Sequence, residues 1–333
     1  MYKIDESRVR GYKKYHADMM RIGDCDPAYP AMRYLVDRFE LNTEQKYWLA
    51  FLYQATYCVP TVYYIYSEFP DYENVDTRRL QSWWTANKKR LLFQTDRAKV
   101  RNFDKFVPMF ESYRDLIGDC QAAAFDKLKR DTVVETYDTV FEFCGQIYYI
   151  GRYSLFLYLE CLHRLTDYPM LPSGLELRTA ESCRNGLCYA LGLDSWVGEN
   201  LTALQYKQLQ GNLADVVSDL RAEHRELPIS YWNIETSLCA YKKLHQKKRY
   251  LGYYIDRQQE EIATMEANIP FGVDWQVLWN FRTEYFHHKY LGELHGRQGV
   301  RPELYGLPNK WLQTFPGEFK DCVKFRGKDL AYV

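Results

Sequence analysis

The chain has 333 residues, enough to bury a large core in one domain or two closely joined ones. Its 44 basic and 44 acidic side chains cancel, which excludes a globally polycationic binder and leaves local patches of charge to select partners. Glycine (18) and proline (12) together fall below the roughly 12% of average usage, so turn-rich β architectures are disfavoured and an all-α fold is expected.

The first ten residues mix charges and lack the apolar run of a signal peptide. No stretch offers about 18 consecutive apolar residues, so the chain is expected to be cytoplasmic with no membrane partner. Apolar residues recur at helical spacing through Met32, Leu35 and Phe39, then through Tyr47, Phe51, Leu52 and Ala55, with Asn42 and Thr43 as caps. Asp76 caps a helix predicted over Thr77 to Leu92; a charged connector, Gln94 to Asn102, leads to another over Asp104 to Leu116. A pattern beginning near Asp131 runs to Gly145. The segment Ile147 to Leu162 reads as helix, a tight turn at Gly151 and a second helix. Pro169, Pro172 and Gly174 place a soft boundary between lobes 1–165 and 166–333. Further helices are predicted over Ala180 to Leu191, Leu201 to Leu220, Tyr231 to Leu244, Leu251 to Ala267 and Val273 to Phe286. The tail after Gly296 is richer in Gly and Pro. Nine cysteines without a C-x-x-C pair point to reduced thiols rather than a disulfide framework or a zinc site.

From Arg78 to Phe106 nine basic side chains stand against two acids, Asp96 and Asp104, interleaved with Trp83, Trp84, Phe93 and Phe103. Cations neutralise phosphates and flat rings stack on exposed bases, so this stretch is a candidate DNA-binding element. Its central residues are Trp84, Arg90, Arg97, Lys99 and Arg101. The competing reading is a solvated helix face with its tryptophans in the core. Lys242, Lys243, Lys247, Lys248 and Arg249 form a second basic cluster. At Gly151 and Arg152 a tight turn would aim backbone N–H groups outward at a helix start, a phosphate site independent of base sequence.

Along Tyr250 to Glu261, helical spacing sets Tyr253 beside Arg257 and Asp256 beside Glu260. The carboxylates suit proton transfer or binding of an amino group, and Arg257 suits a carboxylate; solvated ion pairing is the alternative. Arg282 and Glu284 form a second polar set. Cys239 is read as a buried thiol rather than a nucleophile. His287, His288 and His295 lack the spacing of a metal pair, and no phosphate-binding or dinucleotide-binding glycine motif occurs, so neither metal nor cofactor is expected.

The IYYIGRYSLFLYLECL segment resembles the helix-hairpin-helix of DNA glycosylases. Tyr149 stands where that motif has its first glycine, Tyr153 lies where lyase-type members carry a nucleophilic lysine, and Asp167 is the nearby acid. More of the chain resembles a family of phage DNA-modifying proteins, the α-glutamyl/putrescinyl-thymine pyrophosphorylases, which include amino acid:DNA transferases. The matching segments are EQKYWLAFLYQATYCVPTVYYIYSEFP, WWTANKKRLLFQTDRAKVRNFDKF, the GRYS turn, and ETSLCAYKK followed by RYLGYYIDRQQEEI.

That resemblance implies a glycosylase-like helical fold and a transferase acting on double-stranded DNA that contains modified thymine. The amine of an amino acid or polyamine would displace phosphate or pyrophosphate from activated 5-hydroxymethyluracil, in the host cytoplasm. Such chemistry needs a proton acceptor, for which Asp256, Glu260 and Glu235 are candidates, and substrate contacts, for which Arg257, Tyr253 and Arg282 are candidates. The alternatives are a glycosylase acting on modified thymine and a non-enzymatic DNA-binding protein.

Overall fold

The computed structural model describes residues 3–93, 103–286 and 299–307. Arg97, Lys99, Arg101, His287, His288, His295 and the tail beyond residue 307 lie outside the described residues. Every regular element among those described is helical, as expected. The α-helices are α1 (Glu6–Arg21), α2 (Ala28–Arg38), α3 (Thr43–Thr56), α4 (Val59–Glu68), α5 (Thr77–Asn87), α6 (Phe106–Ile117), α7 (Gln121–Asp126), α8 (Val133–Cys144), α9 (Arg152–Thr166), α10 (Glu181–Leu191), α11 (Ala203–Glu223), α12 (Tyr231–His245), α13 (Tyr253–Asn268) and α14 (Gln276–Tyr285). Among the described residues no helix is long and apolar enough to cross a membrane.

The chain divides into two compact units. The first comprises Met1–Pro27, Ser173–Arg257 and Thr283–Val333, and the second Ala28–Pro172 and Gln258–Arg282. Helix α13 therefore begins in the first unit and ends in the second.

In the first unit α10 packs on α12, and α1 packs on both. Gly186 makes the central contact possible: a Cβ there would lie 2.0 Å from the Leu238 carbonyl oxygen, so the two backbones touch. Helix α1 escapes the sequence pattern because its inward stripe, Val9, Tyr12, His16 and Met19 to Met20, is spelled partly in polar and phenolic side chains.

In the second unit α3 is buried from Tyr47 to Thr56 and packs on α4 and α9. A helix with no polar face belongs inside. Asn42 and Gln45 start it with reciprocal caps, each satisfying a backbone N–H that the first turn cannot. Trp48, Phe51, Phe110 and Tyr113 stack around it, with centroids of Phe51 and Tyr113 4.2 Å apart.

Asp76 caps α5 as expected, through the N–H of Arg79 at 2.6 Å. The helix stops at Asn87, short of Leu92, because Lys88–Arg90 tighten into a 3-10 turn and Leu91 is extended. The hairpin also differs from expectation. Helix α8 ends at Cys144, so Ile147 lies in the turn, where its side chain is buried. The positive φ falls on Tyr149 (63°), while Gly151 is extended and starts α9.

Candidate functional site

In the first unit a set of buried polar side chains gathers where α1 ends and α13 begins. Gly23, at φ 76°, turns the chain out of α1, and Asp24 N–H bonds back to the Met19 carbonyl at 2.9 Å. The Asp24 carboxylate then accepts the N–H groups of Gly252 (2.8 Å), Tyr254 (2.8 Å) and Ile255 (3.1 Å). Asp24 is thus the cap of α13, supplied from the other end of the sequence, at the end of the helix where a negative charge is favoured. Burial pushes its carboxyl up to about 8, helped by the charge of Asp256 and opposed by the three N–H groups. Two residues on, Asp26 accepts the Thr236 hydroxyl of α12.

Asp256 lies in the first turn of α13 and is fully buried. Its Oδ2 accepts the Tyr250 hydroxyl at 2.6 Å and Nε of Arg301 at 3.0 Å. Burial and the Asp256 charge raise Tyr250 far above the phenol range, so its hydroxyl donates. The Arg301 backbone N–H bonds to that same hydroxyl at 3.0 Å, tying segment 299–307 to the helix start. Arg249 stands 3.6 Å over the Tyr253 ring and 5.4 Å from the Tyr254 ring. Two carboxylates, two guanidinium groups and three tyrosines therefore share one largely buried region.

A cavity of about 420 Å³ adjoins it. Tyr15, Leu251 and Gly306 belong to its wall, together with Lys14, Asp18 and Lys247. Lys14 and Asp18 pair at 2.6 Å, and Gly306 N–H bonds to the Arg249 carbonyl at 2.9 Å. At this site the buried Tyr15 hydroxyl and Nη2 of Arg301 have no hydrogen-bond partner. Unmet buried donors cost folding free energy of about 1–3 kcal/mol each, a cost that an anionic ligand would remove.

The residues expected from sequence distribute as follows. Asp256 and Tyr253 lie in the buried region of the first unit. Glu235, also in the first unit and buried, accepts the Cys239 thiol at 3.1 Å. Burial keeps that thiol far above its ordinary range, so Cys239 is no nucleophile. Arg257 is half-buried at the last position of the first unit. Glu260 and Arg282 belong to the second unit, where Nε of the buried Arg282 donates to Gln259 at 2.8 Å. Sequence reading missed Asp24, Arg249 as a site residue, and Arg301. Two acids flanking a cysteine before Pro27 were the one visible signal for the first, and a Gly- and Pro-rich tail hid the last.

The second unit carries the elements expected to face DNA. Trp84 requires a correction: it is 1% exposed, stacked on Phe106 at 4.0 Å and edge-on to Phe93, so its ring is core and offers no face to a base. Arg90 is exposed, with Nε and Nη2 on the Asn268 carbonyl at 3.1 and 2.9 Å. At the hairpin, Gly151 is exposed at the N-terminus of the 15-residue α9, and Arg152 is half-buried beside it. Tyr148 and Tyr149 are exposed on the turn, and Lys105 Nζ donates to the Tyr148 hydroxyl at 2.7 Å. Asp167 ends α9 at φ 56° and takes Arg33 at 3.4 Å, a structural ion pair.

The amino acid:DNA transferase family is matched over residues 20–250. A curated relative, the serinyltransferase of Salmonella phage ViI, is 31% identical over 266 residues, covering 72% of this chain. The chain spans 63% of that relative's length. No solved structure matches. The match covers Asp24, Glu235, Arg249 and the hairpin, and stops before Asp256. The chain belongs to the amino acid:DNA transferase family.

Proposed function

We propose that this member of the amino acid:DNA transferase family joins an amino acid to an activated thymine base in DNA, using the buried region of its first unit. The observation that carries this reading is the buried Asp24 and Asp256 pair, with Arg301 on Asp256, next to a cavity whose wall includes the unpartnered Tyr15 hydroxyl. The substrate is a 5-hydroxymethyluracil whose hydroxyl has been phosphorylated or pyrophosphorylated. The amine nitrogen of the amino acid attacks the exocyclic methylene carbon, a C–N bond forms, and the C–O bond breaks with its electron pair leaving on phosphate.

An amine arrives as ammonium and must lose a proton before it attacks. The carboxylate pair supplies the acceptor, and a group titrating near 8 is matched to that task at neutral pH. The Tyr15 hydroxyl at the cavity wall donates to an anionic oxygen, which is the carboxylate of the amino acid or the departing phosphate, and Arg301 Nη2 has a further donor to offer. Lys14 and Lys247 at the cavity wall add positive charge, and Asp18 faces the ammonium. The name of the phage ViI relative puts serine first among the amino acids to test, with glycine next.

Incubating the protein with duplex DNA carrying phosphorylated hydroxymethyluracil and single amino acids, followed by nucleoside mass spectrometry, tests the proposal. A nucleoside heavier by the amino-acid residue is the expected result. An unchanged nucleoside profile with every amino acid refutes it, and abasic sites would instead indicate a glycosylase.

A further inference from the structure

The loop joining α13 to α14 ends in a feature that the transfer chemistry does not use. Phe271 is 88% exposed, the most exposed large apolar side chain among those described. Pro270 and Gly272, also exposed, flank it, and Gly272 takes φ 86° to make the turn. A ring this exposed on a loose loop would fold back against the protein to escape water. Here the loop is pinned on both sides. Trp275 Nε1 donates to the Ile269 carbonyl at 2.7 Å, the Ile269 side chain is buried, and the Tyr63 hydroxyl reaches the Asp274 carbonyl at 3.3 Å. At the root, Arg90 binds the Asn268 carbonyl while Asn268 Nδ2 returns a bond to the Arg90 carbonyl at 3.0 Å. Phe271 is therefore held outward by a rigid support, all of it within the second unit.

The chemistry of the root indicates what the ring meets. Lys89 and Arg90 are exposed there, and Lys88 lies beside them. An apolar wedge flanked by cations suits a nucleic-acid duplex, in which phosphates line the approach and an apolar base stack lies within. We infer that Phe271 is a wedge that enters the base stack of duplex DNA, with Lys89 and Arg90 on the phosphates alongside. Rupturing one stacking step loosens the neighbouring pair and lowers the cost of turning a base out. This inference rests on the proposed action on DNA, which supplies the reason for distorting a duplex.

The test uses the full chain and duplexes with 2-aminopurine beside a hydroxymethyluracil pair, with binding followed by anisotropy. At saturation the wild type should raise 2-aminopurine fluorescence several-fold, Phe271→Ala should lose most of that rise, and Phe271→Trp should restore it. Phe271→Ala keeps its fold because the ring buries almost nothing, which its melting temperature verifies. A saturated wild type without a rise, or an alanine variant equal to wild type, overturns the wedge. So does a loss confined to self-association in sedimentation, which would make a second copy of the chain the occupant. Transfer on single-stranded modified DNA separates the two readings. Phe271→Ala should match wild type there while falling at least tenfold on duplex. If wild type transfers nothing to duplex or to single strands, the transferase reading fails and the fluorescence result still decides the wedge.

Discussion

Replacing Asp24 with asparagine should change how stability depends on pH. The folded-state carboxyl titrates at about 8 and the ordinary value is 3.8. For a carboxyl raised on folding, the protonated form is the one the fold prefers. Its contribution is fully present below pH 3.8 and is lost as pH rises through 8. Between those limits each pH unit removes about 1.36 kcal/mol, so about 3 kcal/mol goes between pH 6 and pH 8. Asparagine is neutral throughout and removes that slope. At pH 6 it should cost about 1–3 kcal/mol, because one oxygen still serves Tyr254 and Ile255 while its amide nitrogen meets the Gly252 N–H. The variant should therefore be less stable than wild type at pH 6 and equal or better at pH 8.5. Urea unfolding followed by tryptophan fluorescence at four pH values measures both slopes. Parallel pH dependences would refute the assignment of a near-neutral carboxyl to Asp24.

Asp256→Asn replaces the acceptor of both Tyr250 and Arg301, and transfer should fall by about a hundredfold or more with DNA affinity unchanged in a salt titration. Tyr15→Phe deletes a hydroxyl with no partner, so melting should hold or rise by up to about 1 kcal/mol equivalent. The same variant should raise KM for the amino acid more than it lowers kcat, as read from initial rates. Gly186→Ala should destabilise the chain by about 1–3 kcal/mol or more in denaturant titrations, since its Cβ would meet the Leu238 backbone and backbone does not repack.

The helices legible from sequence are those whose inward stripe is aliphatic and whose caps are local. Thr132 with Glu135 opens α8, and Thr202 with Gln205 opens α11, within a residue or two of the predicted starts. Helix α1 was not legible because tyrosine and histidine carry its buried face. The hairpin was visible as a glycine near a helix start, but the residue that takes the left-handed turn is Tyr149, which a glycine-based pattern cannot locate. Charge excess draws attention to Arg78–Phe106, yet it cannot say that Trp84 faces inward or that Arg90 bonds to the end of α13. Of the candidate site, Asp256 and Tyr253 were legible because they share a helix turn, whereas Asp24 and Arg301 come to that turn from separate parts of the sequence. Such pairings leave no periodic trace.

Capping α13 from Asp24 and bracing its first turn from Arg301 also has a consequence for timing. Asp24 reaches Gly252 across 228 positions of sequence, whereas Arg301 reaches Asp256 across 45. The shorter loop costs less entropy to close, so in folding the Arg301 brace is expected to engage before the Asp24 cap, and the two ends of one helix turn are secured in separate steps.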